Sequence, residues 1–343
     1  MNFPEIIEQK QIPSGEQLRI LRLVLPAEHA VPERIKRYFT ASLGYDSYRR
    51  AVSEINYWRL YYRQVLDNQG TADHIYLAEV DGQLAARVWF AWSRRSGHGN
   101  FGNVYTEPEF RRKGLMKELM RPLLRDFHDS NATDLTCATG NRIAAKVYVE
   151  DGFQLIYGGE TGPLCLLNRN CGSSFFELQE KAFNGSEVQQ LRTGNLEDQY
   201  DCDKFLTYNP EMWHKHDFLP CGPASLMVDY RTAFQEVMNG SGVIAVAENG
   251  TGTIAGYAFA LKLNRQNILH LKFHPDNLAD MPELLKFTIK EFQKKLGTEE
   301  PLFLWVHEGQ SLLKQAAAYA GLKCLAELPA GVGANALQVY ATV

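Results

Sequence analysis

Two stretches of this chain spell one pattern. "HIYLAEVDGQLAARVWFAW" (74–92) and "VIAVAENGTGTIAGYAFAL" (243–261) each set an apolar run, a short turn containing glycine, and a second apolar run. Runs of that length bounded by turn residues read as paired strands, and Asp81-Gly82 is a strong hairpin signal. Each stretch is followed by a strand that stops at a proline, "FGNVYTEP" (101–108) and "ILHLKFHP" (268–275). Ala78 to Pro108 spans 30 residues and Ala247 to Pro275 spans 28. A chain that writes one order of elements twice is two divergent copies of one domain, and 343 residues suit two cores better than one.

The order can be read further in both copies. "QLRILRLVL" (17–25) is a first strand, followed by a tyrosine-rich helical region over 32–67. After Pro108 a helix is expected from Gly114 to Phe127, because Leu115, Met116, Leu119, Met120, Leu123, Leu124 and Phe127 fall at helical spacings. Pro122 inside it predicts a kink. A strand (133–139), a helix (142–151) and a strand (153–158) complete the first copy. The Asn, Gly and Ser content of 167–186 marks the boundary, which gives domains of 1–170 and 171–343. In the second copy 282–296 is an amphipathic helix, 301–307 a strand and 311–322 a helix ending in glycine.

Composition narrows the partners. The net charge of −4 opposes a general binder of nucleic acid or anionic membrane. No stretch approaches eighteen apolar residues, and the opening "MNFPEIIEQKQIPSGEQ" has no part of a signal peptide. The six cysteines form no CxxC pair, so reduced thiols, no metal site and a cytoplasmic location are expected. A monomer or homodimer is equally compatible with these features.

The chemistry concentrates in "FRRKGLMKEL" (110–119). No P-loop or GxGxxG fingerprint is present. What a strand, a basic turn with Gly114 and a helix do supply is a set of backbone N–H groups at the positive end of a helix. That end suits a phosphate or pyrophosphate, with Arg111, Arg112 and Lys113 adding charge.

Here the chain resembles the Gcn5-related N-acetyltransferases, the GNAT family. Their first signature is Arg or Gln, two residues, Gly, one residue, then Gly or Ala. Arg111, Arg112, Lys113, Gly114, Leu115 and Met116 follow it except at Met116. Their second has Asn, then Ala three on, Tyr seven on, and Gly-Phe eleven and twelve on. Asn141, Ala144, Tyr148, Gly152 and Phe153 match at every offset.

The resemblance implies an α/β architecture of two tandem acyl-CoA N-acyltransferase folds. Each would be a mixed, mostly antiparallel sheet flanked by helices, with a parallel strand pair at the cofactor site. It implies acetyl-CoA as cosubstrate and a primary amine of a small molecule or peptide as acceptor. Val104, Tyr105 and Thr106 would pair with the pantetheine arm, and amides from Arg112 to Met116 would cradle the pyrophosphate. Asn141 would contact the pantetheine or phosphate region, and Tyr148 would protonate the departing thiolate.

Each residue also has a plainer reading. The basic run can be a solvated turn, Tyr148 a core residue, and Asn141 a helix N-cap. No general base stands out: Asn100 occupies the strand position where some family members carry Glu, with His98 near it, and Glu107 faces the loop. The tyrosines of 45–62 are candidates for lining an acceptor pocket. In the second copy, counting back from Gly321-Leu322 puts Ala317 at the Tyr position, Leu313 at the Ala position and Gln310 at the Asn position. After Pro275 comes "DNLADMPELL", whose carboxylates oppose a pyrophosphate. That copy is expected to be structural or to wall the acceptor pocket. The rival function is an acyl-CoA sensor without turnover.

Overall fold

The computed structural model describes residues 4–25, 70–157, 159–169, 171–172, 174–183, 187–207, 230–263, 266–297, 300–328 and 336–342. The tyrosines of 45–62 lie outside the described residues. The chain divides into two compact units, Met1–Phe175 and Phe176–Val343.

Among the described residues of the first unit eight strands form one mixed sheet. They are β1 (Glu5–Gln11), β2 (Gln17–Val24), β3 (Thr71–Val80), β4 (Gln83–Ser93), β5 (His98–Thr106), β6 (Asp134–Thr139), β7 (Gln154–Leu155) and β8 (Gly162–Leu167). The spatial order is β1-β2-β3-β4-β5-β6-β8-β7. Asp81 and Gly82 turn the β3–β4 hairpin with φ of 45° and 83°, the left-handed pair that suits the twist of the flanking strands. The polar β1 pairs only with β2 at the edge of the sheet, so its sequence carries no apolar alternation to announce it.

Period-2 patterning sets the core. Tyr76, Ala78 and Val80 of β3 and Ala86, Val88 and Phe90 of β4 share one buried cluster with helix α1 (Leu115–Asp129). Leu119, Leu123 and Phe127 of that helix are fully buried, each contributing roughly 1.5–3 kcal/mol. The helix runs through Pro122 as one element, and Pro122 itself is buried. A second helix, α2 (Arg142–Glu150), follows β6.

Among the described residues only β5 and β6 run parallel in this sheet, over three pairs, His98↔Asp134, Gly99↔Leu135 and Asn100↔Thr136. The junction is tightly built. His98 Nδ1 lies 2.6 Å from Asp134 Oδ2, and both residues are buried. Thr133 Oγ1 donates to the same carboxylate oxygen at 3.0 Å. Among the described residues the β5–β6 pairing ends at Asn100.

Past that point β5 is reshaped by a bulge. Opposite β4 the register passes from Arg87↔Tyr105 to Trp89↔Gly102, so β5 advances three residues where β4 advances two. Asn103 takes the strain at φ 52°, and Arg87 Nε donates to its carbonyl at 3.1 Å.

The second unit starts with α3 (Phe175–Phe183) at the division between the units. Its other helices are α4 (Asp198–Thr207), α5 (Tyr230–Met238), α6 (Met281–Leu296) and α7 (Ser311–Tyr319). Its strands are β9 (Val188–Thr193), β10 (Gly242–Asn249), β11 (Ile254–Leu263), β12 (Gln266–Phe273), β13 (Leu302–His307), β14 (Lys323–Leu328) and β15 (Leu337–Ala341). Their order, β14-β15-β13-β12-β11-β10-β9, is that of β7-β8-β6-β5-β4-β3-β2 in the first unit. The parallel pair recurs between β12 and β13, again over three pairs. Two mixed, mostly antiparallel sheets flanked by helices are the α/β architecture that the resemblance implies.

Candidate functional site

The turn between β5 and α1 is shaped by two left-handed residues. Arg112 has φ 64° and Gly114, the N-cap of α1, has φ 76°. Open space surrounds a methyl group built on Gly114, so glycine is needed there for its backbone angle and not for room. Arg112 holds the same region with a side chain, at a cost of about 1–2 kcal/mol. Arg112→Gly is therefore expected to raise unfolding stability by about 1 kcal/mol while removing a cation. Chemical denaturation of the two proteins checks this, and equal midpoints would contradict it.

The first bond of α1 runs from the Glu118 N–H to the Gly114 carbonyl at 3.2 Å. The N–H groups of Leu115, Met116 and Lys117 thus precede any intrahelical acceptor and point off the helix start. Arg111 Nε donates to the Thr106 carbonyl at 3.0 Å and docks the loop on the end of β5. A cavity of about 370 Å³ opens at this helix start. Thr106, Phe110, Arg111, Arg112, Gly114, Leu115, Met116 and Lys117 line one side, with Val147, Glu150 and Asp151 of the α2 end on the other.

Six of the sequence-predicted cofactor residues therefore meet at one cavity: Thr106, Arg111, Arg112, Gly114, Leu115 and Met116. Val104 and Tyr105 lie on the bulged part of β5, and Tyr105 stacks under Arg87 at 5.3 Å. Asn141 and Tyr148 sit on α2 and do not line the cavity. Lys113 is not among the lining residues: its ammonium pairs with Glu16 of the β1–β2 turn and lies 5.3 Å from the Phe110 ring centre. That hydrogen bond holds the Glu16 carboxyl below its ordinary range.

Lys117, Glu150 and Asp151 escaped the reading of the sequence. The signal for Lys117 was its place in the first turn of α1, three residues after Gly114. For α2 it was the helical face that links Val147 to Asp151 four residues on. Burial, with the nearby Glu150, pushes the Asp151 carboxyl up, and Lys117 draws it back down.

The spacing of the second signature has a mechanical reason. Asn141 caps α2, its Oδ1 accepting from Ile143 N at 2.9 Å and Ala144 N at 3.3 Å. Asn141→Ala should cost about 1 kcal/mol while Asn141→Asp retains the cap. A denaturant midpoint that Asn141→Ala leaves in place would show the cap to be idle.

At the other end Phe153 N–H reaches the Tyr148 carbonyl at 2.9 Å and Gly152 N–H the Val149 carbonyl at 3.1 Å, with Gly152 at φ 100°. This is a Schellman cap, in which Tyr148 and Phe153 occupy the two positions that pack together. Their rings lie 5.8 Å apart, and Phe101 meets Tyr148 edge-on at 5.0 Å. Phe101 is the first β5 residue past the last parallel pair.

Tyr148 is 5% exposed, and its hydroxyl makes no hydrogen bond among the described residues. Burial raises its pKa above the ordinary phenol range, with a smaller push from Cys137.

The second unit keeps the frame and lacks the polar parts. Its α7 closes with the same cap, Leu322 N–H to Ala317 O and Gly321 N–H to Ala318 O, both 3.0 Å, with Gly321 at φ 85°. Ala317 stands where the first unit has Tyr148. The β11–β12 ladder runs from Gly256↔Phe273 to Leu263↔Gln266 without a bulge. A 3-10 turn (Pro275–Asp280) leads into α6, whose N-cap is Asp280, with no left-handed glycine.

Among the described residues no three His, Cys, Asp or Glu side chains are grouped to hold a metal, and no helix is long and apolar enough to cross a membrane.

No curated protein sequence matches the chain. Several solved structures are similar to part of it. The PaiA N-acetyltransferase of Thermoplasma acidophilum, in complex with coenzyme A, is 13% identical, over 43% of this chain and 98% of that one, with a TM-score of 0.30. RimL, a ribosomal L7/L12 α-N-protein acetyltransferase in complex with coenzyme A, is 14% identical over 48% and 98%, with a TM-score of 0.35. A chimera of the Vibrio cholerae spermidine N-acetyltransferase SpeG with hSSAT is 18% identical over 43% and 95%, with a TM-score of 0.31. The family model described as Acetyltransferase (GNAT) family matches residues 37–153, a span that holds the turn at 111–116 and the series from Asn141 to Phe153. It is over residues 37–153 that the chain is shown to be similar to the GNAT acetyltransferase family.

Proposed function

We propose that residues 1–170 form the catalytic domain of an N-acetyltransferase that moves the acetyl group of acetyl-CoA to a primary amine of a small molecule or peptide. The observation that carries this reading is the cavity at the start of α1, where free helix amides, Arg111 and Arg112 face one space. The amides from Arg112 to Met116 hold the pyrophosphate. The bulged stretch of β5 at Val104, Tyr105 and Thr106, past its last pair with β6, offers backbone groups to the pantetheine arm. Asn141, whose side-chain oxygen is engaged in the cap, has its amide N–H groups for the same ligand.

The amine nitrogen bonds to the thioester carbonyl carbon, the carbon–sulfur bond breaks, and the sulfur takes the proton of Tyr148. The excess proton of the new amide passes through water and returns to the Tyr148 phenolate, so the cycle closes with no net proton released. A backbone N–H at the bulge is positioned by the strand to meet the developing oxyanion. Residues 171–343 form a degenerate copy with a structural role.

A second reading, acyl-CoA binding without turnover, is favoured by one fact: Tyr148 is nearly buried and does not line the cavity. Calorimetric titration with acetyl-CoA, paired with thiol release over a panel of amines, separates the readings. Binding that Arg111→Ala weakens, with thiol release on some amine, is the expected result. Wild-type protein that binds no acetyl-CoA would remove both readings.

A further inference from the structure

We infer that Lys117, and not Lys113, supplies the ammonium group that faces the bound anion, while Glu16 holds Lys113 as a strut between the β1–β2 turn and the loop. The inference rests on the acetyl-CoA reading above and assigns the cations within it. A run of three bases beside a helix start invites the assumption that all three serve one ligand. The geometry divides them. Arg111 and Arg112 line the cavity, and Lys113 does not. The Lys113 ammonium is committed to Glu16, with both side chains about three-quarters buried, at 27% and 24% exposed.

Glu16 is itself fixed in place. Its carbonyl accepts from Ile12 N–H at 3.0 Å in the β1–β2 turn, and Ser14 Oγ bonds the carboxylate. The Lys113 ammonium nitrogen lies 5.3 Å from the centre of the Phe110 ring, and Phe110 also lines the cavity. Pulling Lys113 to a ligand would therefore strand a carboxylate anchored in a hairpin turn and take the ammonium off that ring.

Lys117 has the opposite situation. It stands in the first turn of α1, exposed, on the cavity wall, where its charge adds to that of the free amides. Across the cavity lie Glu150 and Asp151, neither within ion-pair distance of Lys117 among the described residues. They leave the ammonium unneutralised by contact, while its charge still lowers the Asp151 carboxyl against the effect of burial. The cations offered to a pyrophosphate are thus Arg111, Arg112 and Lys117, set against two carboxylates on the opposite wall.

The test is titration of the full chain with coenzyme A at low and moderate salt, using Lys117→Met, Lys113→Met, Glu16→Gln and the double variant of the last two. Lys117→Met is expected to weaken binding about fivefold and to flatten its salt dependence, without lowering the thermal midpoint. Lys113→Met and Glu16→Gln are each expected to lower the midpoint. The double variant should lie no lower than the worse single one, because the two residues form one interaction. Affinity loss in Lys113→Met equal to that in Lys117→Met overturns the inference, as does tighter binding in Glu16→Gln. A wild type that binds no coenzyme A overturns the acetyl-CoA reading itself, a result distinct from either.

Discussion

Tyr148→Phe is expected to bind acetyl-CoA as the wild type does and to turn it over about 10²- to 10⁴-fold more slowly, the usual share of a positioned general acid. The substitution removes one oxygen and nothing else from the packing. The ring keeps its edge-on contact with Phe101 and its place in the Schellman cap with Phe153. The hydroxyl makes no hydrogen bond among the described residues, so its loss should change stability by less than about 1 kcal/mol. Turnover and stability therefore separate, which a structural tyrosine would not allow.

The pH profile gives an independent check. Burial raises the phenol pKa above its ordinary value, so the protonated, acid-competent form persists as pH rises and is lost only above that value. The rate should climb as the acceptor amine loses its proton and then stay level, with no fall from this acid below about pH 10. Steady-state thiol release from pH 6 to 10 measures it. A Tyr148→Phe protein with wild-type turnover would end the general-acid assignment.

Gly99→Ala is the second large effect, and it acts on the frame rather than the chemistry. A methyl group on Gly99 would stand 2.5 Å from the Ala91 carbonyl oxygen, 2.9 Å from Trp92 Cβ and 3.0 Å from the Asp134 carbonyl oxygen. Two of those atoms are backbone of neighbouring strands, which cannot rotate aside. The strands must part at the middle of the three pairs that hold β5 to β6. A loss of about 3 kcal/mol is expected from overpacking of this kind.

Gly102→Ala, in the same strand, is the control. Its methyl group would meet only Trp89 ring atoms at 3.8 Å, an ordinary contact. Urea denaturation of both variants decides the matter, and equal midpoints would mean that the junction yields freely.

The hairpin at Asp81-Gly82, the apolar stripe of α1 and the duplicated order of elements were all legible, because each depends on local periodicity or turn chemistry. The second signature was legible for a similar reason. Asn141 at the N-cap and Gly152-Phe153 at the Schellman cap are the two ends of one short helix, so their spacing is the length of α2 plus its caps. Strands β1 and β8 were not read, because β1 is a polar edge and "GPLCLL" is too short to show alternation. The bulge at Asn103 also escaped, since a one-residue register slip leaves no mark in composition.

The electrostatics of the turn show the same division most sharply. Three adjacent bases were visible as a cluster, yet adjacency in sequence does not say where the charges go. Arg111 docks on Thr106, Arg112 stays at the cavity, and Lys113 is taken by Glu16, ninety-seven residues earlier in the chain.

What the sequence by itself determined is the local geometry: an order of elements written twice, a helix start held open by Gly114, and a helix of set length that carries Tyr148. What only the tertiary structure decided is which of these parts meet. The splay of β5 from β6, the burial of Tyr148 and the sorting of the cations depend on strands and turns far apart in the chain. Such contacts are set by packing and charge pairing between distant segments, and no local pattern records them.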